Sequence, residues 1–217
     1  MGLQQGSAIT CPLCLTAGAE PYAEDQTRRY LRCPRCRLVF VTSDQHLSPE
    51  AEKAIYDHHQ NSPDDHNYRK FLSRLTKPLT KLIGPQSQGL DFGCGPGPTL
   101  SVMMAEQGYQ MSVYDLYYAD DPQVLKGQYD FITSTEVVEH LASPRQELNR
   151  LWAILRPGGY LGLMTKLVTD HSGFAAWHYK NDPTHISFFS KATFDYLAKA
   201  WSASVEFIGS DVIILRK

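Results

Sequence analysis

Residues Leu90-Asp91-Phe92-Gly93-Cys94-Gly95-Pro96-Gly97 place an acid and three glycines between a short apolar approach, Gly89-Leu90, and a segment, 99–107, of helix-forming composition. A strand that turns into a helix through such a loop brings backbone close to a ligand, because glycine has no Cβ to clash. The helix that follows offers free N–H groups and a positive dipole end to a carboxylate or phosphate. The stretch therefore points to an α/β fold with a nucleoside cofactor at the junction; a glycine-rich structural turn is the plainer alternative. A dinucleotide fingerprint would put its acid about 20 residues after G-x-G-x-x-G. Here the acid comes first.

The 217 residues suffice for one ordinary core and a small appendage. A net charge of −2 with 20% charged residues carries no global signature of a nucleic-acid binder. No run of 18 apolar residues occurs, and the stretch 1–10 is too polar for a secretory signal, so a soluble, cytoplasmic chain with no membrane partner is expected. Four of the five cysteines form two C-x-x-C pairs, Cys11-Pro12-Leu13-Cys14 and Cys33-Pro34-Arg35-Cys36, separated by 18 residues. In a cytoplasmic chain that spacing reads as a closed four-thiolate zinc site, Cys11, Cys14, Cys33 and Cys36, with a ribbon that folds around the ion. Iron is the chemical alternative, since four thiolates do not choose the metal. A redox dithiol would need only one pair in a βαβ setting.

Three segments are expected: a ribbon over 1–45, a helical linker or cover over 46–85, and a catalytic domain over 86–217. Tyr30-Leu31-Arg32 and Leu38-Val39-Phe40-Val41 read as strands flanking the second knuckle. Ser48-Pro49-Glu50 starts a helix, and a second across 64–83 lines up Tyr68, Phe71, Leu72, Leu75, Leu79 and Leu82, with Pro78 expected to kink or break it. From Gly89 onward strands at 90–93, 110–116, 129–134 and 160–165 alternate with helices at 99–107 and 145–155. A helix at 194–201 and strands at 205–209 and 211–215 close the chain. This pattern implies a doubly wound, mostly parallel, Rossmann-like sheet finished by a hairpin, with ligands at the carboxyl ends of its strands.

Asp91-Phe92-Gly93-Cys94-Gly95-Pro96-Gly97 resembles motif I of the class I S-adenosylmethionine (SAM) methyltransferases. Val113-Tyr114-Asp115 resembles the family's second motif, and the 129–141 segment its fourth strand and following loop. Leu155-Arg156-Pro157-Gly158-Gly159-Tyr160-Leu161 resembles the helix-turn-strand beyond. The resemblance implies SAM as cofactor: Asp91 near its methionine portion, Gly93, Cys94, Gly95 and Gly97 making room, Asp115 accepting from ribose hydroxyls, Thr135 and Glu136 lining the pocket. One departure is plain. Only 13 residues, 116–128, stand where the common fold has another strand and helix, so adenine recognition has no counterpart beyond Asp120 or Asp121.

Glu136-x-x-Glu139-His140 sets two carboxylates and an imidazole on one turn, suited to a divalent ion or a base. Similar patterns occur in ubiquinone-pathway O-methyltransferases and small-RNA 2′-O-methyltransferases, which implies a second, divalent metal at Glu136, Glu139 and His140 that orients adjacent hydroxyls. Asp182-Pro183-Thr184-His185 resembles the His-containing segment these enzymes place near substrate. His185, His140 and Glu139 are the catalytic candidates; satisfied structural histidines and a glutamate that only lines the cofactor pocket are the alternative. No N/D-P-P-Y/F run and no spare nucleophilic cysteine are present. The expected function is methyl transfer to a small polar or aromatic metabolite, on oxygen. Two alternatives stand beside it: an RNA or protein methyltransferase whose ribbon arginines, Arg28, Arg29, Arg32, Arg35 and Arg37, touch phosphate, and a non-catalytic SAM-binding, zinc-ribbon adaptor.

Overall fold

A computed structural model of the chain describes residues 9–58 and 61–217; the polar stretch 1–8 lies outside the described residues. In chain order the elements are β1 (Glu20–Glu24), β2 (Arg29–Arg32), β3 (Val39–Val41), α1 (Pro49–Tyr56), α2 (His66–Leu79), β4 (Gln88–Phe92), α3 (Thr99–Ala105), β5 (Gln110–Tyr114), β6 (Tyr129–Thr135), α4 (Pro144–Ile154), β7 (Leu155–Met164), α5 (His171–Ala175), β8 (Ser187–Phe188), α6 (Lys191–Trp201), β9 (Ser204–Ile208) and β10 (Val212–Arg216).

The two cysteine knuckles close alike. Leu15 N–H donates to Cys11 O at 3.1 Å and Arg37 N–H to Cys33 O at 3.2 Å. The residue after each second cysteine is left-handed, Leu15 at φ 58° and Arg37 at φ 63°, a conformation that side-chain-bearing residues hold only when their surroundings impose it. Strands β1, β2 and β3 form an antiparallel sheet to which β8 adds a fourth strand, through Val39↔Phe188 and Phe40↔Ser187.

The larger sheet runs β5-β4-β6-β7-β10-β9, parallel through its first four strands and antiparallel at the β7–β10–β9 end. This is the Rossmann-like, mostly parallel sheet that the alternating pattern predicts. Beyond β5 the short 116–128 segment adds no strand, and β5 is left as an edge. The Arg156-Pro157-Gly158-Gly159 turn is expected to reverse the chain between helix and strand. Instead α4 ends at Ile154, β7 begins at Leu155, and the four residues bulge where the β6–β7 register slips between Tyr129↔Leu155 and Phe131↔Tyr160. Gly158 supplies the positive φ, 80°, that the bulge needs.

One face of the sheet is covered by α2 and α3. Leu72, Leu75 and Leu79 pack there with Met103, Met104, Phe131, Met164 and Ile214, and a Cβ on Gly162 would lie 2.9 Å from Leu75 Cδ1, so only glycine lets α2 sit this close. Pro78 neither kinks nor breaks α2: it falls in the last turn, where one bond is lost and Thr80 N–H still reaches Thr76 O at 2.9 Å. On the other face Leu148, Leu151, Phe194 and Leu197 share a cluster with Leu13, Leu38 and Phe40 of the ribbon.

The ribbon is sewn to the far end of the chain by more than apolar contact. Arg28, 8% exposed, lies in the β1–β2 turn and donates from its guanidinium to His185 O at 2.8 Å, Asp182 O at 3.0 Å, Pro183 O at 3.3 Å and Lys180 O. Beside it, buried Lys180 donates to Asp25 Oδ2 at 2.6 Å, and Tyr30 Oη donates to the same oxygen at 2.9 Å. Arg28→Met keeps much of the stem packing but strands up to four carbonyls. We expect a loss of about 3 kcal/mol in urea unfolding; a change within error of zero would show that the clamp does not hold the two parts together.

Candidate active site at the carboxyl ends of the strands

Motif I leaves β4 through two left-handed glycines, Gly93 at φ 78° and Gly95 at φ 65°. Gly93 N–H and Cys94 N–H donate to Tyr114 O at 2.8 and 3.3 Å, tying the loop to the end of β5. Asp115 serves both sides of the crevice: Oδ2 accepts from Gly95 N–H at 2.9 Å, and Oδ1 accepts from Tyr117 and Tyr118 N–H at 2.9 and 3.1 Å. A Cβ on Gly93 would fall 2.4 Å from Val137 Cγ2, and one on Gly97 would fall 1.5 Å from Asn61 O. The chain itself takes up the space at those two glycines. At Gly95 the nearest atom to such a Cβ is Asn61 Nδ2 at 3.7 Å, so Gly95 faces the open part of the cradle.

Burial pushes Asp91 up to about 7, against the hydrogen bond that Thr133 Oγ1 donates at 2.9 Å. Burial, with Asp91 and Asp115 nearby, pushes the Cys94 thiol up to about 12, so it is no nucleophile at neutral pH. Helix α1 is pinned over this end of the sheet by Tyr117 Oη to Glu52 Oε2 at 2.8 Å and Tyr118 Oη to Asp57 Oδ1 at 2.7 Å. Asp120 is exposed, and Asp121 accepts from Gln123 N–H in its own turn.

The second cluster begins where β6 ends. Glu136 is held left-handed, φ 53°, with its N–H on Met164 O at 2.9 Å, and the turn Val138–His140 follows. Glu139 is fully buried. Its Oε1 accepts from Tyr179 Oη, while its Oε2 and the Oε1 of Glu136 find no hydrogen-bond partner among the described residues. Burial first, and then the Glu136 charge, push Glu139 up to about 8; burial and the Asp211 charge push Glu136 up to about 7, opposed by Lys166 and Arg74. His140 Nδ1 lies 3.2 Å from Thr184 O and His185 Nδ1 lies 2.7 Å from Tyr179 O. A carbonyl only accepts, so each Nδ1 carries the proton and each neutral ring keeps its lone pair on Nε2. Burial lowers the His185 pKa, with Asp182 opposing.

One potential ligand atom from each of Glu139, His140 and His185 lies within 4.8 Å of the others, and the two imidazole centroids stand 4.6 Å apart, edge to face. Of the catalytic and metal candidates around Glu136-x-x-Glu139-His140, the structure gathers Glu139 and His140 with His185, and leaves Glu136 behind them at Tyr179, whose Oη is 3.4 Å from Glu136 Oε2. Thr135 is the last residue of β6, beside Glu136. From the sequence, Tyr179 belongs to a cluster with His171, Trp177 and His178 that reads either as a lid over substrate or as packing of a crossover loop; only the fold shows that its hydroxyl reaches two carboxylates.

The four ribbon cysteines also converge, all sulfurs within 4.8 Å and none in a disulfide. Cys11 and Cys36 sulfurs are 3.5 Å apart and those of Cys14 and Cys33 3.4 Å, against about 3.8 Å for the edge of a zinc–thiolate tetrahedron. Leu13 N–H points to Cys11 Sγ at 3.4 Å. The Cys36 contact most of all, with backbone N–H groups of Cys14 and Leu13 against the cost of burial, pulls the Cys11 thiol down to about 5, and the donor set fits a tetrahedral ion.

Asp91 supplies a test of the crevice. Unfolded, it releases its proton near 3.8; folded, near 7. Between those values the native state binds more protons than the unfolded state, so this residue makes stability fall as pH rises. Asp91→Asn should flatten that slope and raise stability above pH 7 by on the order of 4 kcal/mol, read by urea unfolding across the window without added cofactor. A wild-type slope retained in the variant would contradict the assignment.

A family model describing a methyltransferase domain matches residues 64–201. The trans-aconitate 2-methyltransferase of Deinococcus radiodurans is 30% identical over 132 residues, 51% of this chain and 51% of that protein. The tRNA 5-carboxymethoxyuridine methyltransferase of Escherichia coli K12 is 34% identical over 109 residues, 38% of this chain and 41% of that one, and a ubiquinone biosynthesis O-methyltransferase of Aeromonas salmonicida is 27% identical over 82, covering 38% and 34%. The chain thus spans about half or less of the length of these curated relatives. Among solved structures, the 1,6-didemethyltoxoflavin-N1-methyltransferase of Burkholderia thailandensis superposes with a TM-score of 0.52 at 16% identity, covering 92% of this chain and 99% of that one. Among the described residues no helix is long and apolar enough to cross a membrane. With the family matched across residues 64–201 and the fold superposing over 92% of the chain, the chain belongs to the methyltransferase domain family and has the fold of the SAM-dependent methyltransferases.

Proposed function

We propose that this chain moves a methyl group from SAM to an oxygen of a small polar or aromatic acceptor, with Glu139, His140 and His185 at the acceptor atom. One observation carries this reading: those three side chains, two from the turn after β6 and one from a loop held by the ribbon, meet within 4.8 Å, and Val137 of the same turn packs on Gly93 of motif I. SAM, when bound, supplies an electrophilic methyl on a sulfonium. For its ribose the acceptor is Asp115, which then shares its carboxylate between hydroxyls and Gly95 N–H. Gly93, Cys94, Gly95 and Gly97 provide the backbone cradle, Asp91 faces the methionine portion, and Thr135 and Glu136 line the inner wall.

His185, kept neutral by burial and fixed through Nδ1–H, holds an Nε2 lone pair that can take the proton of an acceptor hydroxyl. Tyr179 keeps Glu139 in place. The unpartnered Glu139 Oε2 and the two imidazoles, each anchored through Nδ1–H to a carbonyl, are the pattern that supports a ligated cation. A divalent ion held by Glu139, His140 and His185, with Glu136 behind, would take the His185 Nε2 lone pair for itself and so replace that base, supplying Lewis acidity that orients and acidifies the hydroxyl. A structural zinc ion is assigned to Cys11, Cys14, Cys33 and Cys36.

Relatives named for trans-aconitate, a tRNA nucleoside and ubiquinone biosynthesis divide between small molecules and RNA. The RNA version relies on five ribbon arginines, and three are engaged elsewhere: Arg28 inside the carbonyl clamp, Arg32 over the Tyr22 ring at 4.8 Å and Arg35 over the Tyr196 ring at 5.5 Å. That favours the small acceptor. No observation favours the adaptor.

Calorimetry with SAM tests the cofactor half. Asp115→Ala should bind about tenfold more weakly or worse with the fold retained, its unfolding midpoint lowered by the three N–H groups left without an acceptor, and equal affinity would remove the ribose assignment. Transfer of labelled methyl to a panel of hydroxylated acceptors, with magnesium or manganese supplied, tests the rest: His185→Gln should lose about a hundredfold in kcat at unchanged SAM affinity. Full turnover in that variant would end its catalytic role. Cys33→Ser should lose its zinc, measured by elemental mass spectrometry, and unfold earlier; wild-type metal content would exclude the four-thiolate site.

A further inference from the structure

A groove of about 700 Å³ opens between the ribbon and the carboxyl edge of the large sheet. Five cations line it: Arg32 and Arg37 from the ribbon, Arg74 from α2, Lys166 from the end of β7 and Lys191 from the start of α6. The one acid in its wall is Asp211, and Arg74 is paired with it. Among the described residues Arg32, Arg37, Lys166 and Lys191 form no ion pair with a carboxylate. Arg32 Nε is buried and has no acceptor. The first turn of α6, an 11-residue helix, adds the positive end of its dipole. Arg32 lies over the Tyr22 ring at 4.8 Å, Lys191 over Phe207 at 5.4 Å and Lys166 Nζ 3.2 Å from His178 Nε2, none of which supplies a counter-charge, and four such cations in one concavity of a chain with net charge −2 repel one another unless an anion sits among them.

The groove also adjoins the reaction centre. Its charged residues Lys166, Arg74 and Asp211 are the ones acting on Glu136, Lys166 Nζ lies over the Tyr179 ring at 5.1 Å, and Thr165 N–H donates to Asp211 O at 3.0 Å. Tyr22, Trp177 and Val168 supply an apolar wall. A volume of this size takes one small molecule, where an RNA backbone would want a stripe of charge across the surface.

We propose that this groove binds the anionic part of the methyl acceptor, a cluster of carboxylates or a phosphate group, and so selects acidic metabolites. That the anion belongs to the acceptor rests on the methyl-transfer reading above; that the groove binds anions does not. The test uses the full, zinc-loaded chain, with citrate and pyrophosphate as probes and glycerol as neutral control, at low ionic strength, by calorimetry and by the fluorescence of Trp177. Saturable binding of either anion and none of glycerol is expected, citrate alone marking a carboxylate site and pyrophosphate alone a phosphate site. Lys166→Gln combined with Lys191→Gln should weaken it about tenfold or more while SAM affinity and unfolding midpoint stay put. Absence of saturable binding, equal binding by the double variant, or binding of a short RNA in place of both anions would each overturn the proposal. Failure of SAM binding in wild type would instead overturn the methyl-transfer reading and leave the anion result standing.

Discussion

One buried positive charge holds the molecule's two halves in a single geometry. The Arg28 guanidinium spends its donors on four carbonyl oxygens between Lys180 and His185, so the loop that carries the His185 imidazole takes its shape from the ribbon. Around it the β3–β8 pairing, the Val41 N–H bond to Ile186 O at 2.9 Å and the Ile186 N–H bond to Glu139 O at 2.9 Å form a continuous path from cysteine knuckle to Glu139. The four-cysteine cluster is therefore part of how the active site is built, although it lies on a different sheet.

The second organising constraint is a cluster of buried carboxyl groups. Asp91, Glu136 and Glu139 are all pushed up toward neutrality by burial at the strand ends. A fold does not accumulate such groups for stability, since each ionised carboxyl taken out of water costs free energy unless it is paired. The metal ion proposed at Glu139, His140 and His185 and the sulfonium proposed beside Asp91 would both restore the balance. The basic groove has the opposite imbalance. The two proposals together amount to a cationic donor on one side and an anionic acceptor on the other.

Much of this was legible in the chain because it is written locally. Strand and helix alternate with their own periods from Gly89 onward, the knuckles are four-residue words, and motif I carries its acid and glycines in one run. Contacts that bridge the sequence were not legible. A two-residue strand such as β8 has no period to detect, and it exists because β3 offers an edge some 150 residues earlier. Arg28 reads as one of five solvated arginines until the loop that encloses it is folded. Tyr179 looks like packing until its hydroxyl is found on Glu139. The gathering of Glu139 and His140 with His185 was visible only as a resemblance, and the basic groove draws its charges from four separate segments that no window joins.

The late arrival of β8 has a consequence for synthesis. The ribbon strands emerge well before β8, so their sheet lacks a fourth strand and Arg28 lacks its carbonyls until Lys180 to Phe188 have been made. At ordinary translation rates that interval is roughly 10–30 s. For that time a half-built ribbon presents the open edge of β3, a surface that pairs readily with any extended chain. The growing polypeptide thus has a window of vulnerability until its sheet closes, and over the same interval Asp25 waits for Lys180 and Arg28 for the carbonyls of its partner loop.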